Sequence, residues 1–167
     1  VADYEPMVCH LETERLILRP WADSDIDAYR ALVAERGGEV PTVESIQERI
    51  GSQRAATART GIALLAATRR AEGDVIGYCG LIVGRSSVDE PEIAYELVRH
   101  AHGLGYATEA AGAVLDAAVA TGRSRLWATV RIWNTPSFRV LEKLGFQPHH
   151  SSEDDLGELV WLTRGLP

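Results

Sequence analysis

Glu92-Ile93-Ala94-Tyr95-Glu96-Leu97-Val98 runs through Arg99-His100-Ala101 into His102-Gly103-Leu104-Gly105-Tyr106-Ala107-Thr108-Glu109-Ala110. In the first seven residues Ile93, Tyr95 and Leu97 alternate with Glu92 and Glu96, the period of a strand with one apolar face. The last residues open an alanine-rich stretch, 105–120, in which Ala107, Ala111, Val114, Leu115, Ala118 and Val119 recur at helical spacing. A strand, a glycine turn and a helix in that order aim the unpaired N–H groups of the first helical turn at one point. The helix dipole adds partial positive charge there, so a pyrophosphate can bind without many basic side chains. Gly103 and Gly105 let the backbone approach phosphate oxygens closely, although two glycines can equally make no more than a tight turn. A dinucleotide-binding unit, which also opens with Gly-x-Gly after a strand, fits poorly. Thr108 stands at its third glycine, and Arg123 and Arg125 lie where an acidic ribose ligand is wanted.

Outward from this stretch, residues 16–18 make an apolar strand ended by Pro20, and Asp23-Ser24-Asp25 supplies capping side chains for a helix running to Val33. Gly37-Gly38 and Pro41 break that helix, and 45–59 read as a second, polar one. Two β-rich stretches, 62–69 and 75–83, flank Ala71-Glu72-Gly73-Asp74 as a hairpin. Beyond the alanine-rich helix, 126–130 is a strand, 136–144 a short helix stopped by Gly145, and 159–162 a last strand. Glu153-Asp154-Asp155 reads as a solvated turn. At the mouth of an acceptor site it could recruit a cation.

The 167 residues, 46% hydrophobic and 25% charged, suit one domain spanning 1–167, with 1–10 as an N-terminal extension. No apolar run reaches the roughly 20 residues a bilayer-spanning helix needs, and the first residues carry no secretion signal, so a soluble, cytoplasmic protein is expected, with no membrane partner. Cys9 and Cys79 sit in no ligand or disulfide spacing and are expected as reduced thiols. A net charge of −7 with no dense basic run argues against nucleic acid as partner and suits a basic acceptor. Lys143 is the only lysine, which excludes a Walker-type phosphate loop. His100 with His102, and His149-His150, lack carboxylate or thiolate partners at ligand spacing, so no metal is expected.

The glycine turn resembles the coenzyme A pyrophosphate loop of GNAT acetyltransferases, whose pattern is Gln or Arg, two residues, Gly, one residue, then Gly or Ala. Here His102, Gly105 and Ala107 stand at those positions, and His102 departs from the pattern. Three further segments are similar to the RimJ/RimL-type branch: Leu11-Glu12-Thr13-Glu14-Arg15-Leu16-Ile17-Leu18-Arg19-Pro20, Gly105-Tyr106-Ala107-Thr108-Glu109-Ala110, and Asn134 through Phe146 with its Val-Leu-Glu-Lys-Leu-Gly-Phe run. The resemblance implies an α/β (α+β) fold, a mixed, mostly antiparallel twisted sheet of roughly six to seven strands flanked by about four helices. It implies acetyl-CoA as co-substrate, wedged between the strand at 92–98 and a splayed neighbour at 126–130. The reaction is then direct acetyl transfer to a primary amine, a protein N-terminus or a small molecule, by a chain that is compatible with a homodimer.

On this reading the cofactor-binding residues are Leu97, Val98, His102, Gly103, Leu104, Gly105, Tyr106, Ala107 and Asn134. Backbone N–H groups of Leu97 and Val98 would hold the pantetheine arm and polarise the thioester carbonyl, a contribution of about 3 kcal/mol in comparable sites. Deprotonating the amine at neutral pH costs about 1 kcal/mol for an α-amine and about 4–5 kcal/mol for a lysine side chain. Glu92 and Glu96, on the strand face opposite the apolar one, could relay that proton, or they could line a solvated face. Leu141 occupies the position where many members carry a tyrosine that protonates the leaving thiolate. Ser137, on the same helix face as Leu141 and Leu144, is the remaining candidate for that role, or else an ordinary helix N-terminal residue. Two other classes stay open: an acyl-CoA-binding sensor without transfer activity, and a nucleotide-dependent oxidoreductase.

Overall fold

A computed structural model describes residues 3–167. Its centre is an eight-stranded sheet in the order β1-β2-β3-β4-β5-β6-β8-β7, built from β1 (Leu11–Glu12), β2 (Leu16–Arg19), β3 (Leu64–Arg69), β4 (Val75–Ile82), β5 (Glu92–Leu97), β6 (Arg125–Arg131), β7 (Gln147–Asp154) and β8 (Gly157–Gly165). Every pairing is antiparallel except β5 with β6, which is parallel. The mixed, mostly antiparallel sheet is as expected. Its two additional strands are the two-residue β1 and the edge strand β7, all of whose residues are exposed and so show no apolar alternation.

Four helices flank the sheet: α1 (Ile26–Ala34), which follows a 3-10 turn at Asp23–Asp25, α2 (Val43–Thr60), α3 (Tyr106–Ala120) and α4 (Thr135–Lys143). Local chemistry sets their ends. The Thr42 hydroxyl accepts the Ser45 N–H at the start of α2, and Gly61 closes it in a left-handed conformation. The side chain of Asn134 accepts the Ser137 N–H at the start of α4, where Pro136 costs no intrahelical bond.

Helix α3 buries Ala110, Ala111, Val114, Leu115, Ala117 and Ala118 against one sheet face. The alanines let it lie close, while Val114 and Leu115 each contribute about 1.5–3 kcal/mol of apolar burial. On the opposite face Trp21, Ile26, Tyr29, Ile46, Ile50 and Ala66 join α1 and α2 to the sheet in a second cluster. Among the described residues no helix is long and apolar enough to cross a membrane.

The feature that positions the site is the one parallel pair. β5 and β6 are in register only at Glu92 and Trp127, with the Trp127 N–H donating to Pro91 O. Beyond that point β5 bonds only to β4, and the sheet is split toward its middle.

Candidate active site

Where β5 leaves β6, a cleft of about 600 Å³ opens along β5, the glycine turn and α4. Gly103 and Gly105 have φ of +73° and +83°, left-handed values that L side chains rarely adopt. The first intrahelical bond of α3 runs from the Glu109 N–H to Gly105 O, so the N–H groups of Tyr106, Ala107 and Thr108 precede the ladder as helix-end donors. Among the described residues the N–H groups of Gly103, Leu104 and Gly105 likewise meet no protein acceptor. These donors border the cleft at Gly103, Gly105, Tyr106, Ala107 and Thr108, with Arg99, Arg139 and Lys143 adding positive charge.

The His102 ring donates to Leu97 O at 2.7 Å, tying the turn to the end of β5. The residue that departs from the loop pattern is thus a brace. Helix α3 is fixed at the other side by Glu109, whose carboxylate accepts from the Thr13 hydroxyl, the Arg15 N–H (2.9 Å) and Arg15 Nε (2.7 Å). Partial burial pushes the Glu109 carboxyl up, but these bonds outweigh it and hold it below the ordinary value.

Strand alternation divides the β5 amides. The Val98 N–H donates to Ile76 O at 2.8 Å, on the β4 side. Val98 is therefore corrected as a donor: its amide is spent in the sheet, and its buried side chain does not border the cleft. The amides of Tyr95 and Leu97 point the other way, into the split, and both residues line the cleft. Leu104 does not line it either. Its side chain is half exposed and its carbonyl accepts Arg15 Nη1.

A second, smaller cleft of about 320 Å³ lies on the β6 side and is bordered by Arg85, Glu92, Thr129 and Arg131. Tyr95, Asn134 and Ser137 border both clefts, so the two meet at these three residues. The Tyr95 hydroxyl donates to Ser137 O at 3.2 Å, and burial pushes that phenol up to about 12, so it stays protonated. Among the described residues no protein partner engages the Ser137 hydroxyl. Asn134 caps α4 and faces the junction at once.

The two glutamates differ from the expected solvated face. Glu92 is 2% exposed; its Oε2 accepts the Arg85 N–H at 3.0 Å, while its Oε1 is buried without a partner. The β4–β5 connection closes over it at Gly84, where a Cβ would collide with the carboxylate. Glu96 is engaged by Arg36, with Nε and Nη2 at 2.8 and 2.6 Å, and accepts from the Tyr78 hydroxyl at 3.1 Å. Glu92, not Glu96, therefore keeps a carboxylate oxygen without a hydrogen-bond partner. Asp154 is likewise spent: Arg131 donates to both its oxygens at 2.8 Å and holds the carboxyl down to about 2, so the acidic turn offers no free Asp154 for a cation.

Sequence reasoning missed Tyr95, Arg36 and Arg85. Tyr95 looks like core because it shares the period of Ile93 and Leu97. Arg36 and Arg85 lie in segments without periodicity, and only the tertiary fold brings them to the site. His149 and His150 face each other with Nδ1 atoms 2.8 Å apart, among Trp127 and Trp161. Among the described residues no group of three or more His, Cys, Asp or Glu side chains could hold a metal ion.

Residues 15–147 match the Acetyltransferase (GNAT) domain family, and the chain belongs to it. The chain is 32% identical to the uncharacterized N-acetyltransferase YoaA of Bacillus subtilis (strain 168) over 150 residues, 82% of either chain. An acetyltransferase from Agrobacterium tumefaciens str. C58 has a similar structure, with a TM-score of 0.78 at 29% identity over 94% of both chains. Mycobacterium smegmatis RimJ, solved in complex with CoA-disulfide, shares the fold with a TM-score of 0.77 at 22% identity, covering 97% of this chain and 86% of that one.

Proposed function

We propose that the protein transfers an acetyl group from acetyl-CoA to a primary amine, a protein N-terminus or a small molecule, the thioester lying where the two clefts meet. The carrying observation is the split between β5 and β6, which leaves the amides of Tyr95 and Leu97 facing a cleft whose far end is lined by the free N–H groups of the glycine turn. Membership of the acetyltransferase family and a structural relative solved with CoA-disulfide support this reading.

The cleft suits the co-substrate chemically. Donors at Gly103 and at Gly105 through Thr108 match a diphosphate, and the narrower stretch along Tyr95 and Leu97 matches an amide-bearing arm. Bound acetyl-CoA supplies the acetyl group as a thioester, polarised by a β5 N–H. The acceptor enters from the Glu92 side. Its nitrogen forms the new bond to the acetyl carbon as the carbon–sulfur bond breaks. Glu92 Oε1 receives the amine proton, directly or through water, and the sulfur departs as a thiolate that accepts a hydrogen bond from the Ser137 hydroxyl. Because a thiol has a pKa near 8.5, the thiolate leaves readily, which is why a serine suffices where Leu141 replaces a tyrosine. The free thiols of Cys9 and Cys79 suit a cytoplasmic setting.

The pairing of Glu96 with Arg36 and the apolar Leu141 favour one rival, a module that binds acyl-CoA without transferring it. Acetyl-CoA-dependent release of free thiol across a panel of peptides with free N-termini, polyamines and amino acids separates the two. Transfer predicts release that depends on the amine. Tight acetyl-CoA binding with no amine-dependent release anywhere in the panel would establish the sensor.

A further inference from the structure

The smaller cleft has a charge pattern that acetyl transfer to an unspecified amine does not require. Three charged side chains border it, Glu92, Arg85 and Arg131, with Asp154 behind Arg131. Arg131 is consumed, both its terminal nitrogens on Asp154 and one of them also on Gly157 O. Arg85 differs. Its guanidinium reaches across the cleft to the Thr129 hydroxyl at 3.3 Å, and among the described residues no carboxylate lies within ion-pair distance of it. Its own backbone N–H holds Glu92 Oε2, so the loop that seats the buried carboxylate also carries the exposed cation. Ile82, Ile93, Val130, Leu141 and Leu159 also border the cleft.

We infer that the acceptor is a free amino acid, its α-amine directed to Glu92 Oε1 at the thioester and its carboxylate paired with Arg85. The inference rests on the acetyl-transfer reading and narrows it. A guanidinium presents a planar fork that matches a carboxylate, and a neutral Thr129 hydroxyl gives it up at small cost. The unpartnered oxygen of Glu92 is the complementary half: a buried acceptor without a partner is satisfied by an ammonium or amine donor. A peptide N-terminus has no carboxylate beside its amine. A polyamine would set a second cation against Arg85.

The test compares each of a panel of apolar L-amino acids with its own amide, first by calorimetric binding to the CoA-loaded protein and then by thiol release from acetyl-CoA. The inference predicts at least one acid whose kcat/KM exceeds that of its amide tenfold or more. Arg85→Gln should collapse that acid-to-amide ratio to within twofold, mainly through KM, and Arg85→Lys should retain part of it. Unaltered CoA affinity shows that a variant is folded, since Arg85 lies outside the larger cleft. Equal use of acids and amides, or an undiminished preference in Arg85→Gln, would overturn the inference while leaving acetyl transfer intact. Acid binding that depends on Arg85 without thiol release would keep the inference about the site and sink the transfer reading. Neither binding nor release for any acid would overturn the inference.

Discussion

Gly105 combines the two constraints on which the proposed diphosphate end of the larger cleft depends. Its left-handed backbone favours glycine, and a Cβ there would already meet Arg15 Nη2 at 3.3 Å. Gly105→Glu adds strain, bulk and a negative charge where an anion is to bind, so calorimetry should show acetyl-CoA affinity lowered at least a hundredfold. Unchanged affinity would remove the loop from the site. Ser137 is the converse case, a side chain with no structural partner for its hydroxyl. Ser137→Ala should lower kcat by roughly ten- to a hundredfold, the loss of one hydrogen bond to a charged sulfur, with acetyl-CoA affinity within about twofold. Wild-type turnover would take Ser137 out of the mechanism. These residues were legible in the sequence because glycine in a strand-to-helix turn and serine after an Asn-x-x pattern are local signals. Glu92 was legible as a residue but not as an environment. Alternation put it on a solvated face, whereas the Gly84–Arg85 backbone closes over it through a fold contact that no local pattern encodes.

At the scale of elements, the glycine turn is only as well placed as α3, and α3 is held to the start of β2 by Glu109. Because the folded carboxyl lies below its ordinary 4.5, its contribution to stability is complete above about that pH and is lost as pH falls through the lower folded value. Glu109→Gln should therefore be less stable than wild type by about 1–3 kcal/mol in urea unfolding at pH 7, with the difference shrinking below pH 4.5. A difference that stays constant down to pH 3 would assign the loss to packing. Amphipathic helices and half-buried strands were readable to within a few residues. Strand β7 was not: it is wholly exposed, carries Pro148 and a register irregularity before His150, and is a strand only because β8 pairs with it. Likewise Val98 read as a strand-end donor, but which neighbour its N–H faces depends on the pairing with Ile76, a tertiary fact.

Across the whole molecule the function follows from one break in hydrogen bonding. An otherwise antiparallel sheet contains a single parallel pair, that pair diverges after Glu92 and Trp127, and the amides left over on β5 face the clefts in which the proposed reaction would seat acetyl donor and amine. The family resemblance implied that arrangement, with the strand at 92–98 splayed from its neighbour at 126–130, and a helix as long as α3 between them is the usual connection of a parallel pair. What it could not foretell is the chemistry of the acceptor side, assembled from the β4–β5 connection, β6 and the turn before β8, which no local pattern links. The most direct test is an acetyl-CoA titration of uniformly 15N-labelled protein followed by amide resonances. The largest shifts should fall on Tyr95, Leu97, Gly103, Gly105, Tyr106, Ala107 and Thr108, with Val98 moving little because its N–H stays on Ile76. Saturable binding whose shifts lie elsewhere and leave the Gly103 to Thr108 amides unmoved would contradict the account.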